Sequence, residues 1–382
     1  MNNAIIKKVK DNFINTFKIE PILVFSPGRI NIIGEHTDYN DGFVFPAAVN
    51  KGILAAIEKS DSKTSKANAL DLGETIEFST EAISPLEKES WGNYILGVIS
   101  EIQKKGISVG NFNITFSGNI PAGSGMSSSA ALENVVVFGL NELFNLGLTK
   151  TEMIFISQKA EHNYVGVNCG IMDQYASMFG IKNHALLLDC RTIDAKPFEI
   201  NFKNHELILI NTNVKHSLCD SAYNDRRSVC ENVSKMLDIK ALRDATPKDL
   251  EKIKTNLSEE DFQKALFVIQ ENTRAEKASK AMTDGDLKTL GALIYGSHDG
   301  LQNQYKVSCD ELDFLVEQAK QNQDILGARM MGGGFGGCTI NLIAKTAVDE
   351  FKTTVSKAYK TEFNKDCSIY SVELSDGTHL IK

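Results

Sequence analysis

The chain has little of what marks most specialised protein classes. Its 382 residues include one tryptophan, seven prolines and seven cysteines. The cysteines (Cys169, Cys190, Cys219, Cys230, Cys309, Cys338 and Cys367) are odd in number and form no Cys-x-x-Cys pair. That argues against a disulfide framework and against a structural zinc site, and leaves buried free thiols as the expectation. Positive charge is not in excess: 41 basic residues against 49 acidic ones give −8. A nucleic-acid footprint would be basic, so no nucleic acid is expected as a partner. No hydrophobic run is long enough to span a membrane. Ile5, Ile6, Val9, Phe13, Ile14 and Phe17 recur at helical spacing among lysines, which predicts an amphipathic helix rather than a secretory leader. A cytoplasmic protein without a membrane partner is expected. There is no repeat at solenoid spacing and no low-complexity tract.

The length exceeds one typical core, which predicts two lobes. The boundary is placed near residue 200, giving 1–200 and 201–382, although no Pro/Gly linker marks it. Strand-like stretches are expected near 22–25, 53–58, 75–78, 113–116, 185–189, 206–210, 339–343 and 368–373. Helices are expected at about 91–105, 128–144, 150–162, 222–237, 260–282, 286–295 and 310–321. This mixed order predicts α+β lobes rather than a regular doubly wound sheet. The segment Ser60–Ala69 reads as the most loop-like piece.

The richest local signal is Pro121-Ala122-Gly123-Ser124-Gly125-Met126-Ser127-Ser128-Ser129, which runs into an apolar helix after a predicted strand. Strand, small-residue loop and helix start together make an anion site, because free backbone N–H groups and the positive end of the helix dipole converge there. The motif is not a P-loop, since no lysine lies in it. A plain glycine-serine turn capping a core helix would look much the same.

Other constellations accompany it. Glu35, His36 and Asp38 crowd a turn between Gly34 and Gly42, just after Arg29, a candidate fixed positive charge. Two carboxylates and an imidazole suit either a metal or the hydroxyl pairs of a polyol. A solvated charged loop is the bland alternative. Asp173 follows Gly170 at a predicted helix start, where a simple dipole partner is also common. Glu161 and His162 end the preceding helix. Gly327–Cys338 holds five glycines in six positions and reads as a second bare-backbone loop that packs against a ligand or another loop.

Taken together, these stretches resemble the GHMP small-molecule kinases. Gly28–Gly42, Pro121–Glu133 and Gly327–Cys338 resemble the three motifs of that superfamily, in order. Gly-Arg-Ile-Asn-Ile-Ile-Gly-Glu-His-Thr-Asp-Tyr at 28–39 is similar to the signature of its galactokinase branch. The resemblance covers nearly the whole chain, Cys169–Gln174 and Ser221–Arg227 included. It implies a two-lobed GHMP fold with a mixed-sheet N-terminal lobe, a ferredoxin-like C-terminal lobe and the active site between them. It also implies transfer of the γ-phosphoryl group of MgATP to the C1 hydroxyl of α-D-galactose.

Carried over by position, Asp173 matches the catalytic base, and Arg29 the residue that stabilises developing charge. Glu35, His36, Thr37, Asp38, Gly170 and Tyr223 match sugar contacts. Gly123, Ser124, Gly125, Met126, Ser127, Ser128 and Ser129 match the phosphate loop, and Ser129 with Glu161 the Mg2+ ligands. Trp91 is placed near the adenine. A monomer is expected. Two alternatives stay open: a related kinase for N-acetylgalactosamine or arabinose, and a non-catalytic sensor of sugar and ATP.

Overall fold

A computed structural model describes residues 3–87, 90–215 and 219–381, without the side chains of residues 215 and 219–221. The chain begins with α1 (Asn3–Phe17), then β1 (Ile22–Asn31), β2 (Phe43–Val44), β3 (Pro46–Lys59), β4 (Ser65–Ala69) and β5 (Glu74–Phe78). Next come α2 (Gly92–Lys104), β6 (Phe112–Gly118), α3 (Ser128–Phe144), α4 (Lys150–Ala160) and α5 (Met172–Phe179). Two strands, β7 (His184–Asp189) and β8 (Asp194–Glu199), lead to β9 (His205–Lys215). The helices α6 (Cys219–Met236), α7 (Pro247–Lys252), α8 (Glu259–Asp284), α9 (Leu287–Asn303) and α10 (Asp310–Lys320) follow. The chain ends with β10 (Ile325–Met330), β11 (Gly336–Ala344), α11 (Val348–Phe363), β12 (Ser368–Ser371) and β13 (His379–Leu380).

The N-terminal lobe is built on a six-stranded sheet ordered β13-β1-β3-β6-β4-β5. It is mixed, because β4 runs parallel to β6 while the other pairs are antiparallel. Helices α2 to α5 cover one face and share its core with Val24, Ala55, Ile57 and Ile114. On the other face α1 buries Val9 and Phe13 against Phe25, Leu54 and Ala56, as its helical apolar spacing predicts.

In the C-terminal lobe, β9, β10, β11 and β12 form an antiparallel sheet ordered β10-β11-β9-β12. Helices lie between β9 and β10, and α11 lies between β11 and β12. Numbered within the lobe, the order is 4-1-3-2 with the βαββαβ alternation of a ferredoxin-like fold. A third core joins the two lobes, packing Ile30, Ile32, Phe45 and Met126 against Leu209, Ala275, Leu290 and Ile340. The chain also crosses back at its far end, where Phe25 pairs with His379 and Val24 with Leu380.

Three differences from the sequence reading have plain causes. Ser65–Ala69, read as loop, is the inner strand β4, paired with β6 on one side and β5 on the other, with its small residues Ala67 and Ala69 buried in the core shared with the helices. Gly327–Met330 is not loop either: it lies in β10, and the bare segment is confined to Met331–Phe335. Helix α11, which the sequence reading does not contain, buries only Val348, Phe351, Val355 and Tyr359, a narrow stripe under a polar face.

Candidate active site

The glycine-serine run folds as predicted. It leaves β6, and α3 begins at Ser128. Gly123 and Gly125 adopt positive φ, as does Ser127 at the helix N-cap (φ 59°). Ser127 does not cap α3; its hydroxyl donates instead to Asp173 Oδ2 at 2.6 Å. The first N–H groups of this 17-residue helix are therefore left to a ligand. The second glycine loop packs directly on the first. A Cβ at Gly125 would sit 2.9 Å from the Met331 carbonyl oxygen, and one at Gly337 3.3 Å from that of Gly123. That close approach is why the segment is stripped of side chains.

Two cavities meet beside this contact. The smaller, of about 510 Å³, is lined by Glu35, His36, Asp38, Cys169, Met172, Tyr223 and Gly332. The larger, of about 1040 Å³, is lined by Tyr94, Ile120 and the run from Gly123 to Ser129. Arg29, Glu161, Val167, Asp173 and Gly333 belong to both. At this shared wall Arg29 donates from Nε to Asp173 Oδ1 at 2.7 Å and from Nη2 to Oδ2 at 2.8 Å, a bidentate pair. Its Nη1 donates to the Gly125 carbonyl, and its backbone N–H to that of Met126. Burial opposes the charge on Arg29, but Asp173, Glu35 and Asp38 outweigh it and raise the guanidinium pKa.

The small cavity is a ring of buried polar groups. Glu35 Oε1 accepts from Arg329 Nη1 at 2.9 Å and from the Gly332 amide at 2.8 Å. The imidazole of His36 is pushed down to about 3, mainly by burial and then by Arg226, so it is neutral. Its Nε2 is buried without a well-formed hydrogen bond, although the Gly333 backbone interacts with the ring. Asp38 is pushed up to about 7 by burial and by repulsion from Asp173 and Glu35. Tyr223 closes one side, its ring centroid 5.4 Å from that of His36. At the shared wall, Glu161 is pushed up to about 7 by burial and by Asp173, and Ser129 hydrogen-bonds to it. A crowded carboxylate, a hydroxyl and the oxygens of a phosphate form a hard donor set that fits Mg2+. Among the described residues no cluster of three or more His, Cys, Asp and Glu could cage a metal, so the ion would depend on its phosphate ligands.

Most of the predicted residues converge here, and some act otherwise than expected. Thr37 is fully buried, with its hydroxyl within hydrogen-bonding reach of the Gly34 and Phe43 carbonyls at 2.9 and 2.7 Å. It braces the turn and does not line the cavity. Gly170 does not line it either: a Cβ there would lie 2.0 Å from Asp38 Oδ2, so its role is to leave Asp38 room. The side chain of Met126 is buried in the interlobe core, and only its carbonyl serves the site. Trp91 lies outside both linings, donating to Glu74 and packing on Phe116; Tyr94, one turn on, lines the larger cavity.

Other residues went unassigned. Arg329, fully buried on β10, ties Glu35 to the Ile32 and Asn31 carbonyls. An arginine inside an otherwise apolar strand is the signal that could have found it. Glu271 on α8 accepts from the Gly34 amide at 2.9 Å, holding the sugar-motif turn from the opposite lobe.

The chain is similar to known proteins along nearly its whole length. The galactokinase galactose-binding signature matches residues 11–59, the GHMP kinases N terminal domain 93–181 and the GHMP kinases C terminal domain 275–361. The chain is 43% identical to a galactokinase of Thermotoga petrophila over 94% of its own length and 99% of the relative's. It is 40% identical to one from Clostridium beijerinckii, over 98% and 99%. The crystal structure of Lactococcus lactis galactokinase complexed with galactose superposes with a TM-score of 0.93 at 34% identity, covering 98% of this chain and 99% of that one.

Proposed function

Because the chain belongs to the galactokinase family of the GHMP kinases, we propose that its small cavity takes galactose and its larger cavity the phosphates of ATP. The chain is a sugar 1-kinase that phosphorylates galactose at the expense of ATP. The observation that carries the assignment of roles is the Ser127–Asp173–Arg29 bridge on the wall both cavities share.

Phosphoryl transfer asks chiefly for positioning and for stabilisation of charge. The α3 N-terminus and the Gly123–Ser129 loop orient the triphosphate. Glu35, His36, Asp38 and Tyr223 orient the sugar so that its C1 oxygen faces the γ-phosphorus. As that oxygen attacks, its proton passes to the Asp173 carboxylate, the bond to the β-phosphate oxygen breaks, and galactose 1-phosphate and ADP result. Arg29 is already charged and fixed where negative charge builds, so no reorganisation is needed at the moment of transfer. Mg2+, held by Ser129 and Glu161, would neutralise phosphate charge when bound.

A reducing, ATP-rich cytoplasm suits the six described cysteines, all free thiols. A monomer suits exposed large apolar residues that are few and scattered, such as Ile19, Leu72 and Met236. No described helix is long and apolar enough to cross a membrane.

The test is ADP release from MgATP with D-galactose, N-acetylgalactosamine, L-arabinose, D-glucose and mevalonate, for the wild type and Asp173→Asn. Preference for α-D-galactose is expected, with turnover of the variant down by about 100-fold or more while galactose still binds. Near-normal turnover of Asp173→Asn would remove the base from the mechanism. Preference for another sugar would overturn the substrate.

A further inference from the structure

Behind His36 lies a buried line of hydrogen-bonding side chains with no part in the mechanism above. His36 Nδ1 is 2.7 Å from the Tyr39 hydroxyl, which is 2.8 Å from the Tyr305 hydroxyl, which is 3.4 Å from Cys230 Sγ. Tyr305 and Cys230 are fully or almost fully buried. The line joins three distant pieces of chain: the sugar-motif turn, helix α6 and the segment leaving α9. Each is anchored independently. Arg226 donates to the Tyr305 carbonyl at 2.8 Å and to that of Lys306 at 3.0 Å. Asn40 donates to the His36 carbonyl at 3.0 Å and also hydrogen-bonds Cys230. The His36 backbone is held at φ 63°, an uncommon conformation for a residue with a side chain, which its surroundings must enforce.

The three contacts each need one hydrogen, and the two phenols and the thiol supply three. The sense of the line follows from its strongest partners. The imidazole nitrogen is the best acceptor present and a phenol the best donor, so Tyr39 donates to Nδ1. Tyr39 must then accept from Tyr305, and Tyr305 from the Cys230 thiol, whose sulfur takes the Asn40 amide hydrogen. Hydrogen bonds aligned in one sense also strengthen one another. The remaining imidazole hydrogen then sits on Nε2, a buried atom beside the small cavity that makes no well-formed hydrogen bond, with the Gly333 backbone as its polar neighbour on the cavity wall.

We propose that Tyr39, Tyr305 and Cys230 form an ordered hydrogen-bond chain that locks His36 as its Nε2–H tautomer, making it a donor to the sugar. Tyr39 and Tyr305 are thereby positioning residues for galactose recognition, an inference that rests on the galactose reading of the small cavity. Once its proton is lost, above about pH 7, the Asp38 carboxylate can only accept. A sugar hydroxyl spanning the two must therefore accept from His36 and donate to the acid. A ligand offering the reverse order strands two buried groups, which is how a polar site rejects near-analogues.

The tautomer is read directly from imidazole nitrogen NMR of ligand-free protein labelled in its seven histidines, with His36 assigned by His36→Gln. The expected wild-type spectrum has a pyridine-like Nδ1 and a protonated Nε2. In Tyr39→Phe the two nitrogens should average, and KM for galactose should rise about tenfold while kcat and KM for ATP stay within about twofold. Tyr305→Phe should give a smaller change in the same direction. Cys230→Ser, which keeps a donor at the end of the line, should retain the wild-type spectrum, and Cys230→Ala should not. A wild-type His36 protonated on Nδ1, or a tautomer unmoved in every folded variant, overturns the proposal. The ligand-free spectrum is independent of substrate, so failure of the galactose reading would appear separately, as a small cavity that does not bind galactose.

Discussion

Replacing Arg329 with methionine should unfold much of what holds the sugar motif. The guanidinium is fully buried and donates to Glu35 Oε1 at 2.9 Å, to the Ile32 carbonyl at 2.9 Å and to the Asn31 and Met330 carbonyls. Removing it leaves the Glu35 carboxylate inside the protein with the Gly332 amide as its remaining partner from this group. Breaking a buried pair from one side costs about 3–5 kcal/mol, and the abandoned carbonyls push this case to the upper end. That is a large part of the roughly 5–15 kcal/mol by which a domain is stable. Adding Glu35→Gln removes the stranded charge. The double variant should therefore recover about 2 kcal/mol or more relative to Arg329→Met, since replacing both ions is far cheaper than orphaning one. Galactose affinity should not recover, because the carboxylate that faces the cavity is gone. Urea unfolding of wild type, both single variants and the double variant closes the cycle, with galactose titration beside it. An Arg329→Met protein within 1 kcal/mol of wild type, or a double variant no more stable than it, would refute the reasoning.

Three further outcomes are expected. Asp38 and Glu161, each raised to about 7, hold protons in the folded state that the unfolded chain has released. Their contribution is intact below the ordinary carboxylate range and is lost as pH rises toward 7. His36, lowered to about 3, works in the opposite sense but has no effect above its ordinary pKa near 6.5. Stability of the free protein should therefore fall as pH rises from the ordinary carboxylate range to about 7, partly offset by His36 until about 6.5, and level off above that. Asp38→Asn should flatten that fall; an equal slope in the variant would count against the assignment. Gly170→Ala drives a methyl into the Asp38 carboxylate, so KM for galactose should rise at least tenfold, and an unchanged KM would mean that Asp38 is free to move. Ser129→Ala should raise the Mg2+ concentration needed for half-maximal turnover and leave galactose affinity alone; an unchanged Mg2+ response would remove Ser129 from the metal site.

What the sequence revealed and what it hid follow from the kind of signal each residue leaves. The α3 start was legible because glycine, serine and an apolar helix sit side by side in the chain, a local signature. Asp173 and Arg29 could be singled out as candidates because their motifs are compact, although the pairing the structure shows joins residues 144 apart. Thr37 was misread because spacing does not say which way a hydroxyl turns, and here it turns into the backbone of its own loop. Tyr305 left no trace at all, since its partner Tyr39 is 266 residues away and neither sits at a periodic position that demands a hydrogen bond. Strand β4 was missed because Ser-Lys-Ala-Asn-Ala has no β-branched residue, and its pairing with β6 overrides its propensity. Helix α11 carries its apolar residues at 351, 355 and 359, one per turn, too thin a stripe to outweigh its threonines and lysines.

The return of β13 to the edge of β1 sets a timetable for synthesis. Phe25 cannot meet His379 until more than 350 further residues have left the ribosome, which at about 5–20 residues per second takes roughly 20–70 s. For that interval the nascent N-terminal lobe carries an open strand edge that any passing extended segment can extend. A chaperone that shields emerging chains would thus gain most at this edge, and slowing translation of the last helix and strands would lengthen the exposure without altering the finished enzyme.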